Sequence, residues 1–272
     1  MYIGIDLGTS GVKTILTDES GKVVDSASSS LTVAIPQPLW SEQNPEDWWT
    51  ATCATLDELK QRNDLSVVKA LGLAGQMHGA TLLDKAGRVL RPAILWNDGR
   101  SEEQCRTLES TIIKARVITG NLVMPGFTAP KLLWIKENEP DIFKQVDKVL
   151  LPKDYLRYKL TGEFASDMSD SAGTSWLNTG ERSWSKSMLM ACGLSEKHMP
   201  TLYEGNEITG YLTAKTAKRW GMKAVPVVAG AGDNAAGAVG CGIVDAGQAM
   251  LSLGTSGVYF AVTNDYRSDP ES

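Results

Sequence analysis

The hexapeptide LGTSGV occurs twice, at Leu7–Val12 and at Leu253–Val258, and only the first copy follows an aspartate, Asp6. A chance six-residue identity in a chain of this length arises on the order of once per few hundred proteins, so the pair points to duplicated or convergent use. In both copies a short apolar run, YIGID or AMLSL, leads into Gly-Thr-Ser-Gly, and a second β-prone run, VKTIL or VYFAV, leads away. That pattern predicts two β-hairpins. Glycine admits positive φ and close approach of a ligand, while free amides and Thr and Ser hydroxyls supply donors for phosphate oxygens. Either hairpin alone reads equally well as an ordinary turn; together they favour a phosphate clamp.

Other phosphate signatures fail on inspection. Gly21-Lys22 is followed by Val23 rather than Ser or Thr, and GAGDNAAG at 230–237 has the wrong spacing for a dinucleotide fingerprint. A P-loop enzyme and a Rossmann dehydrogenase are therefore disfavoured.

The stretch DLGTSGVK at Asp6–Lys13 resembles the first phosphate motif of the actin, Hsp70 and sugar-kinase superfamily, and SLGTSG resembles its second. SEQNPEDWW, GLAGQMHG, LWNDGR and GAGDNAAGAVG are similar to segments of the FGGY family of carbohydrate kinases, and the likeness runs over essentially the whole chain. The resemblance implies an α/β, ribonuclease H-like (actin-like ATPase) fold, with a mixed sheet and flanking helices. It implies a sugar-binding domain over 1–243, carrying a largely helical insertion at about 102–221. Residues 244–272 then open a truncated nucleotide-binding domain, so the 272-residue chain alone is expected to lack turnover. ATP and Mg2+ are the expected cofactors and D-xylulose the expected sugar; ribulose, gluconate and glycerol are alternatives, and a homodimer is left open. A non-catalytic sugar-binding module is the competing class, whereas GQMHG and GAGDN disfavour an Hsp70-like or actin-like ATPase.

The composition fits this reading without identifying it. A net charge of −5 gives neither nucleic acid nor an anionic membrane surface a reason to bind. No apolar run approaches the roughly 20 residues that span a bilayer, and the chain opens into a strand rather than a leader, so a cytoplasmic location is expected. The four cysteines are dispersed without CxxC, and His78 and His198 are the only histidines, so structural zinc is disfavoured and reduced, mostly buried thiols are expected.

Asn44-Pro45-Glu46-Asp47 predicts a helix start, since Asn caps free amides, Pro suits the first helical position and acids suit the positive end of the dipole. Trp48, Leu56 and Leu59 then share a buried face. VKALGLAG reads as a buried strand and TLLDKAGRVLRPAILW as a hairpin and further strand. Pro130, Pro140, Pro152 and Pro200 mark helix boundaries.

Asp233, between a strand and a glycine- and alanine-rich helix, reads from the residues either as a helix cap or as an acid facing a cleft. The family resemblance makes it the general base that takes the proton of the attacking sugar hydroxyl. Asp6, a carboxylate beside phosphate donors, calls for a cation, and Mg2+ directly or through water is its expected partner; a turn aspartate is the alternative. Gly8, Thr9, Ser10, Gly254, Thr255 and Ser256 are the expected phosphate-binding residues. Met77, His78 and Asn234 are the expected sugar contacts, His78 offering one donor and one acceptor. Trp96, Asn97, Asp98 and Arg100 resemble a segment near the family's sugar pocket, but each also reads as core or turn, and Lys13 reads as an exposed strand cation.

Overall fold

The computed structural model describes residues 1–253 and 257–269. Strand β1 (Tyr2–Leu7) and strand β2 (Gly11–Thr17) alternate strictly, burying Ile3, Ile5, Leu7, Val12, Thr14 and Leu16 on one face. The period of two puts Asp6 and Lys13, which face each other in register, on the opposite, open side. Strand β3 (Val23–Ser30) extends this antiparallel meander.

Helix α1 (Pro45–Arg62) begins where the residues predict. Asn44 is its cap, accepting from the Glu46 amide at 3.2 Å, and Pro45 is its first residue. Trp48, Leu56 and Leu59 are fully buried against the meander, each worth roughly 1.5–3 kcal/mol of transfer free energy. The buried hydroxyls of Thr14 and Thr55 satisfy each other at 2.7 Å across this interface.

Strand β4 (Ala70–Gly75) then lies parallel to β1, burying Leu71 and Leu73. Helices α2 (Thr128–Asn138) and α3 (Pro152–Thr161) follow. Strands β5 (Ile208–Tyr211), β6 (Pro226–Val228) and β7 (Ala231–Gly232) complete the sheet, whose order is β5-β6-β4-β1-β2-β3, with β7 pairing parallel to the end of β4. Helix α4 (Asp233–Gly240) leaves β7 directly.

A mixed sheet with flanking helices is thus observed. Its main core joins β1, β2, β4 and β6 to α1 and α3, while a second cluster lies under the helical part, around Leu82, Ile94, Leu132, Ile135, Trp176 and Leu189. The segment expected as an insertion at 102–221 does not stand apart. Its strand β5 is an edge of the central sheet, and Tyr155, Leu156, Leu160 and Trp220 complete the sheet's own core. Short strands also interrupt its helices: Ala165–Asp167 and Thr201–Tyr203 pair in parallel, the first of them packing against α3. The strands flanking the second hexapeptide, β8 (Ala249–Leu253) and β9 (Gly257–Ala261), pair antiparallel as the expected hairpin; Gly254, Thr255 and Ser256 fall outside the described residues. Cys53, Cys105 and Cys192 are buried free thiols and Cys241 is an exposed one. Among the described residues no helix is long and apolar enough to cross a membrane.

Candidate active site

Three neighbouring parallel strands, β1, β4 and β7, end together at Leu7, Gly75 and Gly232. The carboxyl edge of an open α/β sheet is where its loops form a crevice, and the sequence-expected residues of the described chain leave from these three ends.

The first loop is the turn Gly8-Thr9-Ser10, closed by the Gly8 amide donating to the Gly11 carbonyl at 2.9 Å. It is braced from below. Thr9 Oγ1 donates to Gln76 Oε1 at 3.1 Å and accepts from Trp96 Nε1 at 3.0 Å, while Gln43 Nε2 donates to the Thr9 carbonyl at 2.7 Å. Gln76 Nε2 and Trp48 Nε1 both donate to Gln43 Oε1, at 3.0 and 2.9 Å. The expectation that Thr9 offers its hydroxyl to phosphate is corrected here: its single proton is spent on Gln76 and its side chain shapes the turn. The Gly8 amide is likewise committed. Ser10 keeps its hydroxyl free among the described residues, so the loop's donors are Ser10 and exposed backbone.

The second loop carries Met77 and His78. His78 has φ of 68°, an uncommon left-handed conformation for a non-glycine residue, and its carbonyl accepts from Lys131 Nζ at 3.0 Å and Thr128 Oγ1 at 3.2 Å. Its imidazole is packed on Phe127, with ring centroids 4.7 Å apart. Burial lowers its pKa to about 4, outweighing the opposing bond to Gly173, so the ring is neutral at pH 7. Because a carbonyl can only accept, Nδ1 donates to the Gly173 oxygen at 2.7 Å. The donor counted on for sugar is therefore already used, and Nε2 offers only a lone pair. Buried Lys131, which holds the His78 carbonyl, has its pKa lowered to about 7 by desolvation.

The third loop presents Asp233. Gly230 makes the bend with φ of 73°, and a Cβ there would stand 1.8 Å from the Leu73 carbonyl oxygen, so only glycine fits. Gly232 occupies the cap position, which makes Asp233 the first helical residue rather than the cap. The Asp233 carboxylate accepts from the Asn234 amide at 2.7 Å, and the Asn234 side chain itself has no partner among the described residues. Met77 ties the second loop to the third: a Cβ on Gly232 would lie 2.8 Å from its sulfur, and one on Gly173 3.2 Å from its methyl.

Asp6 and Asp233 open to solvent on the cleft side, yet the surrounding walls desolvate both and raise their pKa values. Lys13 opposes the shift at Asp6, and the Asp6 charge adds to it at Asp233. Among the described residues neither acid makes an ion pair. Two carboxylates that repel each other beside phosphate donors suit a divalent cation completed by phosphate and water, although no cluster of three or more acidic, His or Cys ligands exists among the described residues. Asp6 and Lys13 also line a cavity of about 780 Å³ running over Gly4, Gly72 and Gly230 on the open sheet face. A cavity of about 760 Å³ between Asn178–Ser187 and Glu196–Leu202 holds none of the expected residues.

The LWNDGR segment divides. Trp96 is 40% exposed and meets the Gly8–Ser10 turn through Thr9. Asp98 and Arg100 are a buried pair at 2.7 Å, Asp98 accepting from the Ser41 amide at 2.6 Å and Arg100 reaching Glu42 at 2.7 Å and lying 3.6 Å over the Trp40 ring. Both side chains are thus engaged with their own loop and with residues 40–42. Sequence reasoning passes over Gln43 and Gln76, although both stand inside the family-like motifs; for Gln76 an amide in a largely apolar stretch is the available signal.

A family model described as the FGGY family of carbohydrate kinases, N-terminal domain, matches residues 1–240. This chain belongs to that family. Among FGGY relatives, it is 66% identical to the xylulose kinase of Escherichia coli (strain K12) over all of its 272 residues and 56% of that protein's length. It is 42% identical to the xylulose kinase of Bacillus subtilis (strain 168), covering 98% of the chain and 54% of the relative. A crystal structure described as a xyloylose kinase from Brucella ovis superposes with a TM-score of 0.97 at 54% identity, over 99% of this chain and 56% of that one. The chain thus spans about half the length of the relatives it matches. Its sheet and flanking helices are those of the family's actin-like ATPase fold.

Proposed function

We propose that this chain supplies the sugar-binding half of an ATP-dependent kinase that phosphorylates the terminal hydroxyl of D-xylulose to give D-xylulose 5-phosphate, in xylose catabolism in the cytoplasm. On this reading residues 1–243 are the sugar-binding domain and 244–272 begin the nucleotide-binding one. The observation that carries it is the convergence of a donor-rich turn, a neutral histidine and an acid with a raised pKa at three adjacent strand ends. The names borne by relatives at 66 and 42% identity support the choice of sugar.

Chemically, Asp233 takes the proton of the sugar hydroxyl while that oxygen bonds to the γ-phosphorus of ATP and the bond to ADP breaks. In a loose phosphoryl-transfer transition state, in-line alignment matters more than basicity. A carboxylate therefore suffices, and its first task is orientation. His78 Nε2 accepts from a sugar hydroxyl, Met77 covers an apolar edge and the Asn234 side chain is free to bond the sugar. The Ser10 hydroxyl and the backbone amides of Thr9 and Ser10 bind phosphate, and Gly254, Thr255 and Ser256 of the second hexapeptide are the other phosphate contacts on this reading. Asp6 holds Mg2+, directly or through water; that ion neutralises phosphate charge when bound.

A panel of sugars and polyols in a coupled ADP-release assay on the full-length protein tests the assignment, with D-xylulose expected to give the highest kcat/KM. Preference for gluconate, glycerol or ribulose would replace the substrate, and no turnover with any of them would sink the kinase reading. Calorimetry on the 272-residue chain is expected to register D-xylulose binding without ATP turnover.

A further inference from the structure

Segment 152–170 carries five buried charged side chains that no step of the reaction uses. Lys153, Asp154, Arg157, Asp167 and Asp170 are all buried. Desolvating ions costs more than their attraction returns unless geometry is good, so such a cluster calls for a role beyond stability. Lys153 Nζ stands 2.8 Å from Asp154, 2.7 Å from Asp167 and 3.1 Å from Asp170. Burial pushes the Asp170 carboxyl well above the usual carboxylate range, which favours its protonated form and leaves two cations facing two carboxylates.

Both ends of this cluster grip the strand-to-helix loop that ends in Asp233. On one side Arg157 donates from Nη1 to the Val228 carbonyl at 2.7 Å and from Nη2 to the Ala229 carbonyl. On the other, Asp167 uses its second oxygen to accept from the Ser169 hydroxyl at 2.5 Å and the Ser169 amide at 2.8 Å. With its proton given to Asp167, Ser169 Oγ is an acceptor, and it takes the amide of Gly232 at 3.2 Å. Gly232 is the residue before the base. The Asp233 carboxylate has no bond from outside its own helix among the described residues, so its aim is set by the backbone that Ser169 holds.

We propose that Ser169, oriented by the Asp167–Lys153 ion pair, is a positioning residue that sets Asp233 in line with the sugar hydroxyl; this rests on Asp233 being the general base. The hydrogen bond makes no contact with sugar, so its loss is felt in turnover and not in sugar binding.

The test uses the full-length protein. Ser169→Ala is expected to lower kcat on the order of tenfold to a hundredfold, the scale of a misplaced reacting group, with KM for sugar within about twofold and the thermal midpoint within about 4 °C of the parent. Ser169→Thr, which keeps an Oγ, is expected to stay within about threefold of parental kcat, and Asp167→Asn to lose turnover by the same route. Parental kcat in Ser169→Ala overturns the proposal, as does a fall in kcat matched by an equal loss of sugar affinity, or an equally impaired Ser169→Thr. Asp233→Ala is run beside them. If it turns over normally the base assignment itself has failed; if it is dead while Ser169→Ala is normal, only the positioning role has.

Discussion

The His78 ring donates from Nδ1 to the carbonyl of Gly173 at 2.7 Å, fixing which nitrogen meets a ligand. Space between the two residues is tight, since a Cβ on Gly173 would stand 2.3 Å from His78 Cε1. Gly173→Ala therefore turns the imidazole out of its place without touching the sheet core. Calorimetry is expected to find D-xylulose binding to the 272-residue chain at least about tenfold weaker, the size of one good hydrogen bond, with an unchanged circular dichroism spectrum. Parental affinity would show that the ring does not meet sugar.

The same imidazole makes stability depend on pH. In the unfolded chain a histidine takes its proton near pH 6.5, whereas His78 in the fold refuses it until about pH 4. The folded state thus loses ground as pH falls through that window and holds its full advantage above it. Thermal midpoints are expected to decline from pH 6.5 to 4 and to decline less in His78→Asn. A residual slope is expected from His198, whose pKa burial also lowers. An identical slope in the variant would contradict the assignment.

Asp233 shifts in the opposite sense. Burial raises its pKa and the Asp6 charge adds a smaller push, so its carboxylate forms only above the ordinary aspartate range near 4. A base works ionised, hence turnover of the full-length protein is expected to fall as pH drops through this raised value. Carbon-13 NMR titration of the 272-residue chain reads the group directly, and Asp6→Asn is expected to move its midpoint downward. A midpoint below 4 in the parent chain would remove the basis for that acid limb.

Lys153 is the common cation of three buried aspartates. Lys153→Met leaves Arg157 as the one cation facing two buried carboxylates, a loss of about 3–5 kcal/mol for a broken buried pair. The thermal midpoint is expected to fall by about 10 °C. A fall of under about 3 °C would mean the cluster rearranges freely and has no rigidity to pass on to the base loop.

Local signals carry much of this fold into view. Asn44-Pro45 announces α1 because cap chemistry needs only neighbours in sequence, and the alternation of β1 and β2 announces which face holds Asp6. The Lys153 cluster is hidden for a physical reason. In PKDYLRYKL, lysine, aspartate and arginine read as a solvated helix face, and only the aspartates near 170, brought in by the fold, make their burial tolerable. Thr9 misleads in the same way: a hydroxyl in a glycine turn looks free until Gln76, far along the chain, arrives to accept its proton. The helical block is legible as helices but not as part of the sheet, since pairing of β5 with β6 is a long-range event.

The parallel pairing of β1, β4 and β7 has a bearing on how such a protein changes over time. Register is settled upstream of the strand ends, at pairs such as Ile5 with Leu73 and Ala231 with Ala74. On the proposed assignment, a substitution among residues 77–80 alters what the acceptor pocket admits while the ladder that spaces phosphate turn from base keeps its dimensions. One half of the chemistry can drift toward a new sugar with the other half held constant, a separation that suits a scaffold shared by kinases of different substrates.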